Sequence, residues 1–190
     1  MNAANKLTAL VLCLLLLHGC AAPVIIAGGT AAGAAADPRT ADSLVEDQNI
    51  ELKISKAIYT NEQLKKRVHV NVTSYNGVVL LVGETPNANM RNAVVNLARH
   101  VEKVRRIHNE IIVAPPIPQL ARNQDAWITT KLKTRLIATK GINSFNIKVT
   151  TSNKVVYLMG LTTKGEGNIA ADVARNISGV QQVVKLFEYR

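Results

Sequence analysis

Residues 47–113 recur, nearly position for position, in residues 125–190. Asp47-Gln48-Asn49-Ile50-Glu51-Leu52-Lys53-Ile54 has its counterpart in Asp125-Ala126-Trp127-Ile128-Thr129-Thr130-Lys131-Leu132. Val70-Asn71-Val72-Thr73 answers Ile147-Lys148-Val149-Thr150, and the run Val78 to Gly83 answers Val155 to Gly160. Ala98 to Ile107 answers Ala174 to Val183. The offset drifts from 78 to 77 to 76, so single-residue gaps align the two stretches. Such a repeat excludes most single-domain architectures, because whatever one copy folds into, the other must fold into as well.

Each copy reads helix, strand, strand, helix, strand. Ile50, Ile54 and Ile58 recur at helical spacing, as do Ile128, Leu132 and Leu136. Val68, Val70 and Val72 alternate as a strand does. Asn76-Gly77 between two apolar runs signals a hairpin, since both residues tolerate positive φ. Asn153-Lys154 holds that place in copy two. Residues 87–101 and 166–177 supply second helices, and residues 105–113 and 180–189 supply closing strands.

This order resembles the BON domain, a small αββαβ module. The marks are Asn76-Gly77, Gly83, Gly160 and Ser178-Gly179-Val180. Copy one has Lys103 where copy two has Gly179, and copy two has Lys154 where copy one has Gly77. The expected fold is therefore α+β: two tandem αββαβ units, at 43–113 and 125–190. Ala114-Pro115-Pro116-Ile117-Pro118 begins a Pro-rich linker expected over 114–124.

The amino-terminal segment reads as a targeting signal. Lys6 precedes the apolar run Leu7 to Leu17, which is too short for a stable membrane span. Leu17-His18-Gly19-Cys20 resembles a bacterial lipobox, although His18 departs from its usual small residue. The resemblance implies that residues 1–19 are removed and that Cys20 carries diacylglycerol and an N-acyl chain such as palmitate. Ala21 after the cysteine then implies sorting to the outer membrane, facing the periplasm. Residues 20–42, rich in Ala and Gly, are expected to form the lipidated tether. The chain as a whole has a net charge of +10, which points to an anionic partner.

Catalytic chemistry is not suggested. His69, His100 and His108 have no metal-ligand spacing on one element, and Cys20 would be consumed by lipid. Gly165-Glu166-Gly167-Asn168-Ile169-Ala170 fits a dinucleotide fingerprint formally. That fingerprint needs a parallel βαβ unit and a full nucleotide fold, and only 20 residues follow Ala170. We expect no enzyme, no metal, no cofactor beyond the acyl chains, and no nucleic-acid partner.

Comparing the copies isolates one helix. In copy one, Lys53 and Lys56 balance Asp47 and Glu51, whereas in copy two Lys131, Lys133, Arg135 and Lys140 face only Asp125. At 100° per residue, Ile128, Leu132 and Leu136 form the core face. Trp127, Thr130, Lys131, Thr134, Ile137 and Ala138 fall opposite, with Arg135 at one border. Copy one has the polar Asn49 in place of Trp127, which places this single tryptophan on the outside of its own module. An indole beside bases suits a headgroup zone. The expected membrane-binding set is Trp127, Thr130, Lys131, Lys133, Thr134, Arg135, Ile137 and Ala138. Two alternatives stand beside it: burial of Trp127 and Ile137 against copy one, or a merely solvated face.

The dual-BON outer-membrane lipoproteins that this layout resembles are associated with anionic phospholipid binding and envelope integrity. The resemblance implies the same function here, with docking to an outer-membrane assembly protein as the alternative.

Overall fold

A computed structural model describes residues 41–190. The signal over 1–19, Cys20 and the tether up to residue 40 lie outside the described residues. The first module contains α1 (Ala41–Thr60), β1 (His69–Tyr75), β2 (Val78–Thr85), α2 (Ala88–Arg99) and β3 (Arg106–Val113). The second contains α3 (Gln119–Ile137), β4 (Ile147–Ser152), β5 (Val155–Thr162), α4 (Lys164–Arg175) and β6 (Gln182–Tyr189). A single 3₁₀ turn, Ser144–Asn146, leads into β4. Each sheet has three strands with the second in the middle: β1 and β4 pair antiparallel to it, β3 and β6 parallel. This is the expected α+β repeat.

Two boundaries differ from the sequence expectation. The stretch 114–124 is not linker throughout, because α3 already begins at Gln119 after Pro118. Proline is well suited to a helix start, where its missing N–H is not needed, and Arg122 donates from Nε to the carbonyl of Ile117 at 3.2 Å. Likewise α1 begins at Ala41, inside the segment assigned to the tether.

The hairpin turns agree in both copies. Asn76 and Gly77 have φ of 52° and 72°, and Asn153 and Lys154 have 49° and 64°. Lys154 thus adopts the left-handed turn that Gly77 adopts, despite its side chain. A buried aspartate beneath each turn stabilises it. Asp47 accepts from Ser74 Oγ (2.7 Å), Asn76 N (2.7 Å) and Gly77 N (2.9 Å). Asp125 accepts from Asn153 N (2.7 Å) and Lys154 N (2.8 Å).

Gly83 and Gly160 allow a close approach of the paired neighbouring strand, at the start of β1 and of β4. A Cβ at either would lie 2.0 Å from a carbonyl oxygen, of His69 and Asn146 respectively, and both have positive φ. Gly160→Ala should therefore destabilise the second module by about 3 kcal/mol, from strain plus displacement of a backbone that cannot yield. An unchanged denaturation midpoint would contradict this close approach.

Each sheet is covered on both faces. In the first module α1 and α2 cover one face through Ile50, Ile54, Ile58, Val79, Leu81, Val94 and Ala98. In the second α3 and α4 do the same through Ile128, Leu132, Leu136, Val156, Leu158 and Ala170. The remaining faces meet in a shared core of Tyr75, Val78, Leu80, Val82, Tyr157 and Met159, flanked by Val184 and Leu186. The modules therefore join sheet to sheet, with the helices outside. Burying each large side chain there contributes roughly 1.5–3 kcal/mol. Polar contacts fix the register. Thr73 and Thr150 hydroxyls lie 3.0 Å apart, Lys148 Nζ donates to Glu51 and to the Ser74 carbonyl, and Arg105 and Asn76 donate to the two Glu188 oxygens.

One acid at this junction is fully buried. Glu84, 0% exposed, has one carboxylate oxygen near the amide of Ile117 at 3.5 Å, and the other has no partner among the described residues. Burial pushes its carboxyl above the ordinary range, against the Ile117 amide and the Arg122 charge that pull it down. A raised folded-state value penalises the native protein once pH exceeds the unfolded glutamate value of about 4.3, and the penalty grows until the folded value is passed. Glu84→Gln should therefore raise the denaturation midpoint at pH 7, with the gain vanishing at pH 3–4. A loss of stability at both pH values would refute this account.

Candidate functional site

All eight residues of the expected membrane-binding set lie exposed on α3 or its carboxyl-terminal cap. Trp127 is 61% exposed and Ile137 68%. The alternative that these two bury against copy one is overturned, because the modules meet through their sheets instead. Sheet faces won that contact because β2 and β5 are apolar on both sides, so each still had a whole face to bury after its helices were seated.

Helix α3 carries apolar residues on two opposite sides. The inner side is Ile128, Leu132 and Leu136, all buried. The outer side is Trp127 and Ile137, extended toward the amino terminus by Leu120, which is 70% exposed and seven residues before Trp127. Leu120 was missed because its segment read as linker, although the seven-residue spacing to Trp127 was visible. A surface helix needs only one apolar stripe, and the second one asks for a partner.

Lys131 Nζ stands 5.2 Å from the centroid of the Trp127 ring, within cation–π range. Lys131, Lys133 and Arg135 enter no ion pair among the described residues. Hydroxyls of Thr130 and Thr134 turn back onto the carbonyls of Ala126 and Thr130, at 3.0 and 3.1 Å.

Trp127, Thr130, Lys131, Thr134, Arg135 and Ala138 also form one wall of a groove of about 790 Å³. Its other wall is α4 and the turn after it, through Ile169, Asp172, Val173, Asn176 and Ile177. Lys133 and Ile137 lie outside it. The α4 wall was not legible, since the expectation treated one helix alone.

The remaining sequence candidates disperse. Among the described residues His69 is on β1, His100 caps α2 and His108 is on β3. Burial lowers the pKa of His69 and of His108, helped by Arg122 and Arg106 respectively. The Gly165-Glu166-Gly167 segment lies in a parallel βαβ unit, β5–α4–β6, but in a sheet of only three strands, short of the nucleotide fold that the fingerprint needs. It offers no anion site. Glu166 caps its own helix, accepting from the amide of Thr163 at 2.8 Å while the Thr163 hydroxyl accepts from the Glu166 amide at 3.2 Å. A phosphate there would meet a carboxylate.

Two αββαβ modules with these glycines and hairpins define a protein class. The BON domain family matches residues 46–115 and 124–190, and the chain belongs to that family. Among its relatives, the outer membrane lipoprotein DolP of Haemophilus influenzae is 38% identical over 97% of this chain and 96% of that protein. The 21 kDa hemolysin of Actinobacillus pleuropneumoniae is 37% identical, covering 80% and 79%. The osmotically-inducible protein Y of Escherichia coli is 24% identical, covering 74% and 71%. This is a DolP-like protein of the outer membrane, built of two BON domains. No helix among the described residues is long and apolar enough to cross a membrane.

Proposed function

We propose that this chain is a non-enzymatic lipoprotein, held in the outer membrane by acyl chains on Cys20 and facing the periplasm. It binds anionic phospholipid through α3 of its second domain and supports envelope integrity. The observation that carries this reading is the outer side of α3: an exposed tryptophan and isoleucine set among three bases that no acid among the described residues pairs with. An indole with bases beside it is the side-chain chemistry of a bilayer interface, where bases near an anionic surface contribute about 1 kcal/mol each. The acyl anchor keeps the protein at a bilayer, so this second contact selects where on the membrane it rests.

The test uses the chain from Ala21 onward, without Cys20, and follows Trp127 emission during vesicle titration. Trp127 is the sole tryptophan, so any change is local to α3. An exposed indole should emit at long wavelength in buffer and shift to the blue on anionic vesicles only, with the shift lost at high salt. Ile137→Glu should weaken binding about tenfold or more while the melting curve stays in place, since the side chain is exposed. A blue maximum in buffer that no vesicle moves would reject the reading. Cross-links from position 127 to proteins alone would favour the assembly-partner alternative.

A further inference from the structure

We propose that the groove between α3 and α4 seats a single acyl chain, so that the second domain captures a monoacyl anionic phospholipid as one molecule. This rests on the lipid-reading role of α3 and specifies what that site takes.

A flat bilayer could be met by the outer stripe of α3 alone. It would reach Leu120, Trp127 and Ile137, yet the α4 wall would stay hydrated, because Val173 and Ile177 lie half-buried beside it. The structure holds a concave slot as well as an apolar ridge. From Trp127 to Ala138 the wall runs eleven residues, or about 16 Å of helix, which is the scale of an extended acyl chain. Apolar side chains form both walls: Trp127 and Ala138 on one, Ile169, Val173 and Ile177 on the other. Concave, mostly apolar sites between helices with a few polar groups at the rim are where small amphiphiles bind.

The rim carries the charge that commits the occupant. Lys131 and Arg135 border the groove without an ion-pair partner among the described residues. The one acid in the lining, Asp172, is held by Arg175 one helical turn on. Two unpaired cations over an apolar slot complement an anionic headgroup joined to one chain. They do not complement a cationic or neutral amphiphile.

The first domain provides an internal comparison. The depression beside α1 measures about 510 Å³ and is lined by Asp42, Glu46, Asn49, Lys53, Glu102 and Lys103, among others. Its acids outnumber its bases, and Lys103 is paired with Glu46, so it offers no pair of free cations to an anionic headgroup. Where copy two has Trp127 and Ile169, copy one has Asn49 and Ala93. The slot is thus a property of the second copy, not of the repeated fold.

The experiment titrates the chain from Ala21 onward with lysophosphatidylglycerol, kept below its micelle concentration, and reads Trp127 emission. A saturable one-to-one blue shift is expected. Glycerol phosphate, which lacks the chain, should give none, and lysophosphatidylcholine should bind more weakly. Ile169→Gln should lower lysophosphatidylglycerol affinity about tenfold, from the lost apolar contact, and leave anionic vesicle binding within about twofold. Should that variant fail to fold, the unaltered protein is read by NMR with a lysolipid bearing a nitroxide on its chain. The methyl signals of Ile169, Val173 and Ile177 should then broaden. Vesicle binding without a saturable monomer response, or unbroadened α4 methyls, overturns the groove and leaves α3 as a surface reader. Absence of binding to both vesicles and monomer overturns the lipid reading itself, and the groove proposal with it.

Discussion

Exchanging Lys131, Lys133 and Arg135 together for glutamine should lower partitioning of the non-lipidated chain onto anionic vesicles by about a hundredfold at low salt. Each base near an anionic surface contributes about 1 kcal/mol, and three together correspond to roughly two decades in affinity. The substitution is clean in this protein for two reasons. None of the three pairs with an acid among the described residues, so no carboxylate is stranded. Glutamine has nearly the helix propensity of lysine and arginine, so α3 should persist. The deficit should close as salt rises toward 1 M, where the screening length falls to about 3 Å. Residual binding would then report the apolar contacts of Trp127 and Ile137. A triple variant that binds anionic vesicles as well as the parent does, at low salt, would remove electrostatics from the site.

The largest expected effect on stability lies far from that helix. Asp47→Ala removes a buried carboxylate that accepts from the Ser74 hydroxyl and from the turn amides of Asn76 and Gly77. Hydrogen bonds to a charged acceptor are stronger than neutral ones, and buried donors left without a partner are costly. The expected loss is about 3 kcal/mol or more, near 10 °C in melting temperature for a unit of this size. Asp125→Ala strands two amides rather than three donors, and its turn already accommodates Lys154 at positive φ. It should cost less. Calorimetry of the two variants side by side decides the matter. Equal losses, or none for Asp47→Ala, would mean that the turns hold themselves.

The repeat and its local spacing carried most of the secondary structure into view. Ile50, Ile54 and Ile58 are buried as their spacing demanded, and Val70 and Val72 face the first module's core. The eight α3 candidates were legible for the same reason: a 3.6-residue period assigns every residue on a helix to a side once the core side is known. Asp47 and Asp125 were visible only as helix openings. Their role depends on a hairpin some 27–30 residues away folding back over them, and a helical period cannot register that.

Sequence alone determined the two αββαβ modules, the inner and outer sides of α3, and the asymmetry between the copies that singles out Trp127. These follow from local periodicity, turn chemistry and internal comparison, none of which needs a distant contact. Only the tertiary structure decided what the second face of each sheet meets. Val78 to Val82 and Val155 to Met159 are unbroken apolar runs, the pattern of strands buried on both faces. Burial on both faces names no partner, because the hydrophobic effect is non-directional and scales with area alone. The structure spent those faces on each other. That choice freed α3 for the exterior and left the slot beside α4 open, so the site was set by a contact that none of its own residues make.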